Sequence, residues 1–206
     1  MRKLFRSCVG TAAMILGFSP DSAVAITFDW EIFGTSTNSV PIYQMVGGLT
    51  ATVTGVGGNG KVVVHRAPTS FTGFGLDSLS VGGNSEFLRV DFSYPVVSVS
   101  LQFGDSNADD DGTVTARAYD ASNVLVDVES LLYGTILGVR SLTLDAPDIA
   151  YVVTGTTGSV QFPNSIVYDN YVVTPAPGFI PVPEPSTLGL LGLSLAALVI
   201  RARRVG

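Results

Sequence analysis

Asp105, Asp109, Asp110 and Asp111 place four carboxylates within seven positions, in the run GDSNADDDG from Gly104 to Gly112. Asp105, Asn107, Asp109 and Asp111 fall on every second position. Short oxygen side chains at that spacing converge on one ion when the chain curls, and Gly112 permits a sharp curl. Asn107 to Gly112 match N-x-D-x-D-G, the opening of an oxygen-ligand calcium loop. The glutamate that closes an EF-hand is missing: the sixth position after Gly112 is Ala118, and a strand pattern has already resumed at Val114. The expected chemistry is therefore one Ca²⁺ held by Asp105, Asn107, Asp109 and Asp111 in a loop between strands. A divalent ion there turns carboxylate repulsion into attraction. The alternative is a solvated acidic hairpin turn between Phe103 and Val114, because Asp and Asn suit turns without any ion.

Other chemistry-bearing residues are sparse. Asp169, within Tyr168-Asp169-Asn170-Tyr171, is a carboxylate that would complete a metal site in a terminal strand, or else face solvent or an edge loop. Tyr43, Tyr119, Tyr133 and Tyr151 are aromatics able to stack on sugar rings if exposed, and core or rim packing is the alternative. Trp30 reads as core. His65 is the sole histidine and Cys8 the sole cysteine. With no G-x-S-x-G and one thiol near the N-terminus, nucleophilic triads lack parts, and zinc lacks ligands. Glu31 and Glu129 are the glutamates near strands that a glycosidase-type carboxylate pair would have to draw on. The expectation is that the chain is not an enzyme and requires no cofactor, calcium being the one ion its residues suggest.

The elements that must position these residues are strands. Leu88, Val90, Phe92 and Tyr94 alternate with polar residues, and so do Val97, Val99, Leu101 and Phe103. Period two over such lengths means half-buried strands, and Pro95 between the runs marks a corner or an edge. Further strands are expected at 26–30, 49–54, 61–65, 114–119, 124–129, 141–144, 150–154 and 166–173. Gly, Asn, Asp and Ser fill the gaps, and no sustained helical period interrupts them. Short strands punctuated by turn residues predict an all-β fold: an antiparallel, jelly-roll-like β-sandwich over 26–173. Between 26 and 181 there are 15 Asp and Glu against 5 Lys and Arg, a net charge of −10. Nucleic acid and anionic lipid require a basic face, so neither is expected as a partner of this domain.

Both ends differ from the middle. Arg2, Lys3 and Arg6 precede a mostly apolar run from Ser7 to Phe18, then Pro20, then the small residues Ala23 and Ala25. This is the pattern of a secretory signal peptide over 1–25, with signal peptidase cutting after Ala25 and removing Cys8. After Val173 come five prolines within 174–187, which predict an extended, stiff linker. Leu188 to Ile200 is then apolar apart from Gly189, Gly192 and Ser194, and Arg201, Arg203 and Arg204 follow. A helix over 188–200 would be about 20 Å long, shorter than a bilayer core of about 30 Å. It has no polar face, however, and the basic tail at 201–206 belongs on the cytoplasmic side. A short transmembrane helix is expected.

The string VPEPSTLGLLGLSLAALVIRARR, from Val182 through Pro183, Glu184 and Pro185 to Arg204, resembles the PEP-CTERM sorting signal. Its three parts, a Pro-Glu-Pro motif, a short apolar helix and a basic cluster, stand in the family's order. The resemblance covers about the last two dozen residues. It implies an inner-membrane-anchored precursor whose tail exosortase, a membrane cysteine transpeptidase, cuts near the motif. The product then passes to the cell surface or the extracellular matrix, so membrane association is transient. Such proteins are typical of Gram-negative bacteria that make exopolysaccharide. The implied function is that of an exported, non-catalytic surface or matrix protein associated with exopolysaccharide or biofilm. The alternative is a calcium-assisted carbohydrate-binding module, and a glycan-active enzyme stands behind both.

Overall fold

The computed structural model describes residues 24–31, 36–38, 41–57, 61–66, 77–82, 87–105, 112–132, 138–157 and 166–182. Eleven strands fill them: β1 (Ile26–Phe28), β2 (Ser36–Asn38), β3 (Ile42–Val46), β4 (Leu49–Val56), β5 (Lys61–Arg66), β6 (Asp77–Gly82), β7 (Phe87–Asp105), β8 (Thr113–Tyr119), β9 (Leu125–Leu132), β10 (Gly138–Thr157) and β11 (Ile166–Pro175). Every pairing among them is antiparallel. No helix among the described residues is long and apolar enough to cross a membrane. The helix expected at 188–200 lies outside them.

Two long strands make the sandwich. The first half of β7 pairs with β4 (Val53 opposite Val90), and its second half pairs with β11 (Val99 opposite Val173). β10 pairs with β7 along both halves, with register shifts between Asp145 and Tyr151, and its second half also carries β8. One layer is therefore β3-β4-β7-β10-β8-β9. The other is β2-β5-β6-β11-β7-β10, with β1 on the β6 side of β11. A strand that passes from one sheet to the other turns at a bend or bulge. Pro95 supplies the bend in β7, as the sequence suggested, because it donates no ladder hydrogen bond. The side-chain phase shows the crossing. Leu88, Val90 and Phe92 are buried before it, and Val96, Val99, Leu101 and Phe103 after it. Val96 takes the inward place that alternation assigned to Val97, which is half-buried.

The crossing also changes the reading of 104–112. β7 and β8 lie on opposite sides of β10, so the segment between them connects the layers and is not a hairpin turn. Similarly, β11 is no edge: β7 flanks one side, β6 and β1 the other. Its register slips between Asp169 and Val172, where Asn170 adopts φ +46. Asn170 donates from Nδ2 to Gln102 Oε1 at 2.9 Å, which ties the slip to β7.

Side chains of both layers meet in one core. Phe28, Trp30 and Tyr171 form its aromatic centre: Phe28 and Trp30 stack at 6.0 Å, and Trp30 meets Tyr171 edge-on at 6.1 Å. All three are fully buried. Register makes this possible, since Phe28 lies opposite Tyr171 in the β1–β11 pair.

Candidate functional site

The end of β11 leads into a short strap against the domain. Ala176 donates its N–H to Pro95 O at 2.9 Å, and Phe179 donates back to Ala176 O at 3.3 Å. Between them Pro177 and Gly178, the latter at φ +94, suit the second and third positions of a type II turn. The Phe179 ring packs on Tyr94 at 5.3 Å, and the Tyr94 hydroxyl donates to Pro177 O at 3.3 Å. The strap reaches the turn between β3 and β4, where Val182 donates its N–H to Gly47 O at 3.0 Å. Gly48, at φ +87, lies so close that a Cβ there would sit 2.9 Å from Val182 Cγ2. The proline-rich stretch expected as an extended, stiff linker over 174–187 therefore begins inside β11 and remains in contact with the domain through Val182. Pro183, Glu184, Pro185, Arg201, Arg203 and Arg204 lie outside the described residues. At the other end, Ala25 is exposed directly before β1 and Ala23 lies outside.

A second grouping occupies the outer face of the β3–β9 layer. Tyr43, Thr52, Asp91, Tyr151 and Tyr119 stand in register across β3, β4, β7, β10 and β8. From the β7 flank, the Arg89 guanidinium lies 3.6 Å from the Tyr151 ring centroid; from the β8 flank, Tyr119 stacks on that ring at 4.9 Å and 10°. Arg89 grips Asp91 with Nε and Nη2, at 2.9 and 2.6 Å. The hydrogen bond that Arg89 donates to Asp91 is the chief cause that raises the Arg89 pKa above its ordinary value, against a lowering by burial. The Tyr151 hydroxyl donates to Asn123 Oδ1 at 3.0 Å. Of the expected stacking tyrosines, Tyr151 is thus already covered, Tyr119 is half-buried and Tyr43 is 67% exposed. Tyr133 lies outside the described residues.

The calcium expectation falls mostly outside as well. Asp105 ends β7, opposite Gly138 and Ile166, while Asn107, Asp109 and Asp111 are not described. Among the described residues no three His, Cys, Asp or Glu groups gather as a metal site. Asp169 is fully buried within β11, so it does not face solvent. His65 lies on β5 opposite Ser78. Glu129 is exposed on β9, whereas Glu31 follows β1 in the other layer. Sequence reasoning missed Gly47, Gly48, Tyr94 and Arg89. The Gly-Gly pair between two strands was the available signal for the first two.

Residues 181–204 match the family model described as the PEP-CTERM protein-sorting motif, and the chain carries that motif. No curated protein matches the chain. Among solved structures, an arabinose-bound α-L-arabinofuranosidase aligns at 17% identity and a TM-score of 0.41, over 69% of this chain and 26% of that one. This chain spans about a quarter of that enzyme's length. The K3 cleaved adhesin domain of Lys-gingipain from Porphyromonas gingivalis aligns at 17% identity and 0.34, over 48% and 74% of the two chains. The K2 domain of the same protein aligns at 14% and 0.32, over 73% and 89%. At these scores the likeness says nothing of activity. The motif implies exosortase as the processing partner and an exported, membrane-anchored precursor sorted to the cell surface.

Proposed function

We propose that the sandwich is the cargo of this sorting system: an exported, non-catalytic surface or matrix domain that associates with exopolysaccharide after its tail is cut. The observation that carries the reading is the sorting motif at 181–204, which follows the last strand after a short strap. The acidic charge of the domain suits a soluble component of a hydrated matrix. The test is intact-mass measurement on protein from the envelope of a host with exosortase. The product should begin at Ile26, after signal peptidase, and end near Pro183–Pro185. Recovery of the full-length chain would sink the sorting part. Failure of the processed protein to co-purify with exopolysaccharide would sink the matrix part.

A second reading, a calcium-assisted carbohydrate-binding module, is favoured by the Arg89–Tyr151–Tyr119 stack with exposed Tyr43 on the same face. Aromatic faces suit the apolar sides of sugar rings, and the guanidinium fork suits hydroxyl and carboxylate oxygens. Calcium at Asp105, Asn107, Asp109 and Asp111 would then stabilise the connection between layers. Saturable sugar binding lost in Tyr43→Ala and Tyr119→Ala supports this reading. A glycan screen without binding removes it.

A further inference from the structure

We propose that the strap at 176–182 is a latch on the sorting step, and that Gly47, Gly48 and Tyr94, all outside the motif, set how fast the motif is cut. The proposal rests on exosortase processing as put forward above, and it concerns access to the motif.

Proline has no N–H, so within Pro181-Val182-Pro183-Glu184-Pro185 only Val182 and Glu184 can donate from the backbone. Enzymes and receptors that take peptides in extended form hold them largely through such donors. The domain already uses one of the two, since Val182 N–H is given to Gly47 O at 3.0 Å. It also closes one side of that residue, because Gly48 approaches so near that even a methyl group would meet Val182 Cγ2 at 2.9 Å. The Pro-Glu-Pro part of the motif begins at the next residue. An enzyme that grips the segment around Pro183 must therefore take Val182 from the β3–β4 turn.

The strap is built to let go. Val182 is 61% exposed and Ile180 is 83% exposed, so little apolar surface holds this end. The firm attachment lies upstream, at the Ala176–Phe179 turn and the Tyr94–Phe179 ring contact. Docked and lifted straps thus form a two-state element, and cutting proceeds at a rate proportional to the lifted fraction. Weakening the ring contact raises that fraction. One aromatic pair shifts such an equilibrium by about two- to tenfold.

The test follows precursor-to-product conversion of the full chain by pulse-chase in a host with exosortase, alongside hydrogen exchange at the Val182 amide of the purified full chain. Phe179→Ala and Tyr94→Ala should each speed conversion about two- to tenfold and deprotect the Val182 amide. Phe179 belongs to the strap, so its variant leaves the sandwich intact should Tyr94→Ala misfold. Equal conversion rates across wild type, Phe179→Ala and Tyr94→Ala overturn the latch. So does a Val182 amide that exchanges freely in wild type. A protected amide with no conversion of wild type instead overturns the sorting reading beneath it.

Discussion

Two buried residues show how single side chains hold this fold. Trp30 has φ +59, a left-handed conformation that bulky residues rarely adopt. Its N–H donates to Gln44 Oε1 at 3.2 Å, and Gln44 in turn donates from Nε2 to Asp29 Oδ1 at 3.0 Å. Gln44 is thus a buried polar brace for the aromatic centre. Gln44→Leu should cost about 1–3 kcal/mol, because it strips the acceptor from a buried backbone donor. Urea unfolding followed by fluorescence of the single tryptophan measures it. Tyr171 supplies a pH dependence. Burial pushes its pKa well above the ordinary tyrosine value, Asp169 adds to that, and the hydroxyl contact with Thr154 opposes it. A raised folded pKa means the stabilisation is complete below the unfolded value, about 10, and is lost as pH rises from there through the higher folded value. Stability should therefore fall above pH ~10, by at most about 1.4 kcal/mol per pH unit from this group. Tyr171→Phe should flatten that alkaline limb when urea midpoints are compared between pH 7 and 11.

At the scale of elements, turns and crossings divide the work. The β8–β9 turn is held by one carboxylate oxygen: Asp120 Oδ1 accepts from Ser122 N and Val124 N, each at 2.8 Å, while Asn123 adopts φ +64. Asp and Asn are suited to these places because their side chains bond the local backbone and tolerate the left-handed region. Asp120→Ala should lower stability by about 1 kcal/mol, read as a lower melting temperature with an unchanged far-UV spectrum. The same substitution at Asp127 tests a contact between elements, since Asp127 Oδ2 accepts from Asp145 N at 2.7 Å where β10 approaches its bend. By contrast, Arg89 and Asp91 are about a third exposed, so their pair contributes only about 0–1 kcal/mol. The worth of Arg89 lies in its place over Tyr151.

For the whole molecule, charge and export set the conditions. The domain carries a net charge of −10 over 26–181, with four aspartates in the connection between the layers. A cation that binds only the folded state stabilises by about 2.7 kcal/mol at a hundredfold excess over Kd. If the 105–111 segment takes calcium, millimolar Ca²⁺ should raise the melting temperature relative to EDTA, and Asp109→Ala or Asp111→Ala should each remove most of the gain. Equal melting curves in calcium and EDTA would leave the segment an acidic inter-sheet connection with no ion.

The sequence by itself determined what depends on local order. Alternation at 88–94 and 97–103 announced strands because neighbouring side chains on a strand face opposite sides, whatever they face. Pro95 announced a corner because a proline donates no ladder bond wherever it sits. The sorting motif was legible because its three parts are contiguous, and the family model matches the same residues. The tertiary structure decided everything that depends on which strands become neighbours. It merged the two alternating runs into β7, placed β10 between β7 and β8, and buried Asp169 in a central strand. β2, β3 and β6 were not legible: each has six residues or fewer, too short for a sustained period, and β2 pairs with β5, which is not its neighbour in the chain. The arginine–tyrosine stack unites Arg89, Tyr119 and Tyr151, and the strap contact unites Gly47 with Val182. No local period encodes either meeting. Each exists because the pairing of strands far apart in the chain, enforced by burial of one common core, fixes the register that brings those residues together.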